Sequence, residues 1–533
     1  MPSSTFNDCQ TSYEAERRLH VEARQASASE SSYLTSSKKR HTRHLRFAQG
    51  TQSMSTLKFV IPSPALARMA DPLALASDDA VATGLPTWEQ ALGITRERIA
   101  AALKGFIPHE RGTGQGSAAW YTLAPLLLDL QSQEETGYNP RRLELAAFDA
   151  DASPSAAARH VEMLMAWLES VDGLEGQLPD SLPPVPDDLE DVLALSALAA
   201  PPQCVYRSLS RLFPQLDATT IVDGAVAASA GVLSLFNSWE ATRIIDAYKA
   251  PGDFRHKVLE YCAEGHLQAV LDEYLSVLVE WRGFDRQEDH EAALDNCVKD
   301  FTEALSVRTT VYDVLVPSGK ELVTQRMRGG FAVPYGKASS ETVGERRVES
   351  LSLAFNSPFW PFVLTTTSVG QEGLDFHLYC HAVSHWNLPS NPVDLEQREG
   401  RVHRYKGHAI RKNVAAVVGK PSGTHAPWQE LFERADELTA QERDTQVIPY
   451  WVFAPEDRLG ADTAHIERHL PITPYSREAS RLDPLMKSVA VYRLAFGQPR
   501  QEELIRHILS EVTDPSTQAA LQAIRIDLSP PRQ

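Results

Sequence analysis

Residues 363–407 read VLTTTSVGQEGLDFHLYCHAVSHWNLPSNPVDLEQREGRVHRYKG, and this stretch decides the fold. Phe362-Val363-Leu364 is an apolar run followed by Thr365-Thr366-Thr367, the pattern of a buried parallel strand that ends in a polar loop. Ligands of open α/β sheets bind at that carboxyl edge. Gly370 and Gly373 let the backbone turn tightly or approach a ligand without a Cβ in the way. Asp375 is placed to accept a hydrogen bond from a hydroxyl. A second strand is expected over 381–387. Asn391-Pro392 then opens a helix, with asparagine as cap and proline at the first position. Residues three and four apart share a helix face, so Gln397, Arg401 and Arg404 are expected on one side. Two guanidinium groups and an amide there suit a polyanion with planar, bidentate oxygens. Ordinary turns and solvated arginines would explain a lone arginine pair. They do not explain strand, glycine loop, acid, strand, Asn-Pro and Gln-Arg-x-Gly-Arg-x-x-Arg in this order.

That order resembles motifs V and VI of the second RecA-like lobe of superfamily 2 nucleic-acid helicases. The resemblance implies that Arg404 is the arginine finger on the transferring γ-phosphoryl group, a role worth about 10³–10⁵ in turnover. It implies that Arg401 reaches the same phosphate and that Gln397 is the leading polar residue at the interlobe cleft. Asp375, with Gly373 beside it, matches the motif V acid that contacts nucleotide ribose or the interlobe network. Thr367 and the Gly370 backbone match positions that touch the nucleic-acid sugar-phosphate backbone. Glu372 and His403 fall where relatives vary and receive no role. Further out, Glu345–Arg347 through Leu353–Asn356 resembles the helix before motif V in remodeller-like bacterial helicases. Tyr13–Arg18 and Tyr492–Arg500 resemble other parts of that branch, and the first implies a chain that begins just inside lobe two.

A helicase of this kind also needs a phosphate-binding loop, G-x-x-x-x-G-K-[ST], whose backbone N–H groups, lysine and hydroxyl cradle the phosphates. The sequence holds no such run. Gly112–Ser117 is glycine-rich without a lysine, and Gly319-Lys320, Gly336-Lys337 and Gly419-Lys420 are followed by Glu, Ala and Pro. Val270-Leu271-Asp272-Glu273 mimics a Walker B box. However, Leu267, Val270, Leu271, Tyr274, Leu275 and Leu278 recur at helical spacing, which predicts an amphipathic helix with Asp272 and Glu273 on its solvated face. The expectation is therefore ATP with Mg²⁺ held mainly by a missing lobe, and negligible ATPase activity from this chain alone. A lobe-one polypeptide carrying the Walker motifs would be the partner, and DNA the expected nucleic acid. The alternative is a non-catalytic nucleic-acid- or protein-binding module that retains a helicase-like lobe. No G-x-S-x-G elbow, H-E-x-x-H helix or deaminase-type Cys/His spacing points to another hydrolase class.

Composition suits a globular protein, with 43% hydrophobic and 23% charged residues. Five cysteines, Cys9, Cys204, Cys262, Cys297 and Cys380, include no C-x-x-C pair, the usage of reduced thiols in the cytoplasm. No apolar run approaches the roughly 20 residues of a membrane span, and the N-terminus lacks a targeting pattern. The net charge of −18 argues against a protein that coats nucleic acid over its whole surface, though not against a local track. The acid-free run Lys38–Arg46 reads as a solvated loop. His377, His381 and His385 would stack on a helix as a metal face, but a strand is expected there, so no metal site is assigned.

The expected fold class is α/β: one RecA-like parallel-sheet lobe interrupted by a large α-helical insertion, with a mixed C-terminal extension. Residues 1–86 form an N-terminal segment that includes the start of the lobe, with a short strand over 57–61. Residues 87–310 form the helical insertion, punctuated by Pro-rich breaks. Helices are expected over 88–103, 118–130, 156–171, 189–199, 226–248 and 255–281. The lobe resumes over 311–420 with strands at 311–316 and 331–333. Residues 421–533 form the extension, with a helix over 428–442, a strand over 447–453, a helix opened by Asp483-Pro484, and a last helix over 501–512.

Overall fold

The computed structural model describes residues 44–47, 51–76, 87–104, 107, 111–112, 114, 116–143, 156–171, 182–305, 310–318, 321–329, 349–359, 361–366, 375–419, 428–440, 448–471, 476–495 and 516. They fall into two compact units. The first lies within Met1–Phe331, Pro358–Trp360 and Lys420–Trp428, and the second within Ala332–Ser357, Pro361–Gly419 and Gln429–Gln533.

The first unit is helical up to a terminal hairpin. Trp88–Leu103, Ala156–Val171 and Leu189–Ala199 form as expected. The long run over 226–248 is instead two helices, Ala218–Phe236 and Trp239–Ala247, because Ser238 caps the second through the Ala241 N–H. Likewise 255–281 divides into Phe254–Glu264 and Leu267–Arg282, with His266 between them in the left-handed region at φ 49°. Helix Ala218–Phe236 is long and apolar enough to cross a membrane, contrary to the expectation that no run would approach that length. Most of it is buried, and it packs on Pro201–Leu212 and His290–Leu305. Gly231 permits that approach: a Cβ there would lie 3.1 Å from the Thr302 Cα. Tyr274, Phe301 and Phe359 close the core with edge-on ring contacts at 5.7 and 6.4 Å.

Residues 57–61 are not a strand. Residues 57–59 end a 3₁₀ helix, Thr51–Phe59, and Val60 follows in a turn; Met54, Leu57 and Val60 recur every third residue and are all buried. The glycine-rich loop near 112–117 is structural. The Gly112 N–H donates to the Val185 carbonyl at 2.9 Å, and a Cβ at Gly114 would come within 2.8 Å of the Pro184 ring.

Leu267–Arg282 is a helix, as its spacing predicts, but Asp272 and Glu273 are not solvated: they are 8% and 2% exposed. Helix Pro201–Leu212 covers that side and supplies the partners a buried charge needs. Asp272 accepts from the Ser208 hydroxyl (2.6 Å), the Gln268 amide (2.9 Å) and the Arg211 guanidinium (2.5 Å). Arg211 also reaches Asp71 at 2.6 Å. Arg207 donates to Gln268 and to the carbonyls of Ala67, Ala197 and Leu198.

Strand β1 (Thr310–Ser318) covers the segment expected to resume a parallel sheet. It pairs antiparallel with β2 (Glu321–Gly329) from Thr310↔Gly329 to Ser318↔Glu321.

The second unit carries the quoted stretch. Residues 361–366 form no strand, and Val363 is 76% exposed, so the expected buried strand is absent there. Of the strand expected over 381–387, Ala382–Ser384 (β3) forms; it pairs in parallel with β4 (Glu467–His469), the pairing proper to an α/β unit. Among the described residues the other parallel pairing is a single isolated bridge, Arg111 with Val185, in the first unit. Helix Pro392–Glu399 opens as predicted, the Asn391 side chain accepting from the Asp394 N–H at 2.8 Å. Helix Glu478–Ala495 runs through Pro484 rather than starting there. Leu482, Leu485, Met486 and Val489 pack against Leu388 and Leu395, and that shared core holds the helix on both sides of the proline. Trp428–Thr439 is helical, whereas 448–451 is a turn and not a strand. Pro449 has no N–H to give a ladder. Residues 331–333, 345–348, 501–512, Tyr13–Arg18 and Lys38–Arg43 lie outside the described residues.

Candidate functional site

The site is built where 375–378 runs beside 401–411. The Phe376 N–H donates to the Arg401 carbonyl at 2.9 Å, and the His408 N–H to the His377 carbonyl at 2.8 Å. Arg411, almost fully buried, donates to the Leu378 and Lys406 carbonyls. From the other side Asn356 clasps the same segment: its amide donates to the Asp375 carbonyl (2.7 Å) and its oxygen accepts from the Leu378 N–H (3.2 Å). Every one of these bonds fixes backbone, so the side chains of Asp375 and Arg404 are presented from a rigid frame.

Those two side chains meet. Arg404 Nη2 lies 2.9 Å from Asp375 Oδ1, with both groups partly open to solvent. The Arg404 Nε is buried and has no hydrogen-bond partner among the described residues. A guanidinium held at one end and partly exposed is suited to a planar oxyanion.

Gln397, Arg401 and Arg404 do not share a helix face. The helix ends at Glu399, and tight turns follow: Val402 and His403 donate back to the Glu399 carbonyl at 3.0 and 2.9 Å, and Gly407 to that of Arg404. Helical spacing therefore does not extend to the arginines. Gln397 stays exposed on the helix, Arg401 joins the frame through its carbonyl, and Arg404 reaches Asp375. Thr367, Gly370 and Gly373 lie outside the described residues.

The helix itself is clamped at its end. Glu399 accepts from Arg468 at 2.5 and 2.7 Å and pairs with His385 at 3.2 Å, the His385 side chain being 1% exposed. Burial alone would raise the Glu399 carboxyl, but the bonds from His385 and Arg468 outweigh it and hold the group down to about 2. Glu396 pairs with Arg493 at 2.6 Å. Sequence reading passed over Asn356, Glu399, Arg411 and Arg468. Their partners lie up to 69 residues away in sequence, and no spacing rule connects them.

The histidines do not gather as metal ligands. His385 faces Glu399, His381 stacks on His408 at 5.5 Å, and His377 is buried with its imidazole pushed down to about 4 by burial, with Arg411 adding to the effect. No group of three or more His, Cys, Asp or Glu among the described residues is placed to hold a metal ion.

The chain's likeness to known proteins falls on this region. Residues 314–406 match the family model of the helicase conserved C-terminal domain. The match supports a helicase C-terminal domain over that range, and with it a RecA-like α/β fold, to which the parallel β3–β4 pair conforms. It takes in Asp375, Gln397 and Arg401 and ends two residues after Arg404. No curated protein and no solved structure matches the chain.

Proposed function

We propose that the second unit supplies the arginine-finger half of an ATP-dependent nucleic-acid helicase or translocase. The observation that carries this reading is the Asp375–Arg404 pair at 2.9 Å, inside the range matched by the helicase C-terminal domain. Asp375 orients the guanidinium, which stays partly exposed and so open to a phosphate oxygen. Hydrolysis of the nucleotide spreads negative charge over the transferring phosphoryl oxygens, and Arg404 with Arg401 neutralises it. Gln397 lines the same cleft. Thr367 and Gly370 touch the sugar-phosphate backbone, with DNA the expected strand.

Nucleotide and Mg²⁺ are held chiefly by another lobe carrying the G-x-x-x-x-G-K-[ST] loop, which this sequence lacks. Closing of that lobe on Arg404 and its reopening would move the nucleic-acid contacts along the strand. The test is DNA-stimulated ATP hydrolysis by the full chain, alone and mixed with the polypeptide encoded immediately upstream. Turnover only in the mixture, lost in Arg404→Ala, supports the proposal; equal turnover by variant and parent removes it.

A further inference from the structure

We infer that Tyr405 and Trp451 form a base-stacking platform for single-stranded nucleic acid, beside the arginine site. Three rings lie nearly parallel. Phe432 stacks on Tyr450 at 5.5 Å and 14°, and Tyr450 on Tyr405 at 5.8 Å and 8°. Trp451 meets Tyr405 at 5.9 Å and 61°. The inner end of this stack is anchored, since Phe432 is buried. The outer end is open: Tyr405 is 46% and Trp451 42% exposed, with Val452 exposed next to them.

Backbone bonds hold the rings in place. The Lys406 N–H donates to the Tyr450 carbonyl at 2.8 Å, and His403 Nε2 to the Trp451 carbonyl at 3.0 Å. Lys406 sits at φ 50°, a left-handed backbone that costs a residue with a side chain and is kept where surrounding contacts enforce it. The resulting turn carries the Lys406 ammonium 4.7 Å from the Phe432 ring centre and 5.5 Å from that of Tyr405. A cation is therefore held over the Phe432 and Tyr405 rings, next to the half-open Tyr405.

That combination suits unpaired bases, which stack on aromatic faces while lysine and arginine meet the phosphates. A duplex keeps its base faces covered, so the occupant is a single strand. The two exposed rings meet edge-on at 61°, so they present two differently inclined surfaces, where a mononucleotide has one base. The run His403-Arg404-Tyr405-Lys406 contains no acid, and Lys406 and Arg404 place two cations next to Tyr405 in sequence, Arg404 being paired with Asp375. The inference rests on the reading of this unit as one that tracks nucleic acid.

The test measures fluorescence anisotropy of a labelled oligothymidylate of about 15 nucleotides, within the range of single-strand site sizes. It uses the full chain at low salt with no ATP present. Tyr405→Ala and Trp451→Ala should each weaken binding about tenfold, Tyr405→Phe should keep the parent affinity, and an equal-length duplex should bind more weakly than the single strand. The inference is overturned if the parent does not bind the oligothymidylate. It is equally overturned if both alanine variants, folded by circular dichroism, bind it as the parent does, or if they lose affinity for the duplex instead. Because no nucleotide is turned over, failure of the arginine-finger proposal leaves this result standing, and the converse holds.

Discussion

Arg404 and Asp375, 29 residues apart in sequence, are joined by an ion pair of 2.9 Å, and the backbone N–H of Phe376 is bonded to the Arg401 carbonyl beside it. The acid of the glycine loop therefore holds the arginine that follows the helix. Because both side chains are partly exposed, the pair adds little to stability, about 0–1 kcal/mol. Its consequence is orientation. Asp375→Asn should leave the melting temperature within a few degrees of the parent and lower turnover of the reconstituted enzyme about tenfold or more, with the loss in kcat rather than KM.

Glu399 should matter for stability more than its surface position suggests. It joins a buried histidine to Arg468 on β4, so Glu399→Gln should cost about 1–3 kcal/mol in urea unfolding. A double-mutant cycle with Arg468→Met should return a coupling of at least about 0.5 kcal/mol.

Acid should loosen the second unit before it protonates the carboxylates. The His377 imidazole titrates near 6.5 when unfolded and at about 4 when folded. Between those values the unfolded chain holds the extra proton, so stability falls as pH drops from 6.5 to 4, by on the order of 3 kcal/mol. His408 is pushed down by burial and by Arg411 and acts in the same direction. A His377→Asn variant should show a flatter stability profile across that window. Glu399, held at about 2, adds a loss only below the unfolded carboxylate range, as pH falls from about 4.5.

In the first unit, Asp272→Ala should destabilise by about 1–3 kcal/mol, because it leaves Arg211 with Asp71 alone and takes the acceptor from Ser208. Thermal unfolding measures this directly. A solvated Asp272 would give no change.

Local signals were legible in the sequence and long-range ones were not. Asn391-Pro392 named the start of its helix, because cap chemistry is carried by adjacent residues. The six-residue apolar pattern of Leu267–Leu278 named its helix, yet placed Asp272 in solvent, because periodicity reports one buried face and says nothing of a second helix covering another. The strand over 311–316 was found, but its partner was not: apolar runs do not encode whether pairing is parallel or antiparallel. Motif order singled out Asp375 and Arg404 without joining them, since their ion pair spans 29 residues, while helical reasoning carried the Pro392 helix too far, past Gly400.

The most direct test of the central claim is DNA-stimulated ATP hydrolysis by this chain with the upstream-encoded polypeptide, comparing the parent with Arg404→Ala. Turnover in the mixture that falls about 10³-fold or more in the variant is the predicted result. Turnover that persists unchanged in Arg404→Ala would contradict it.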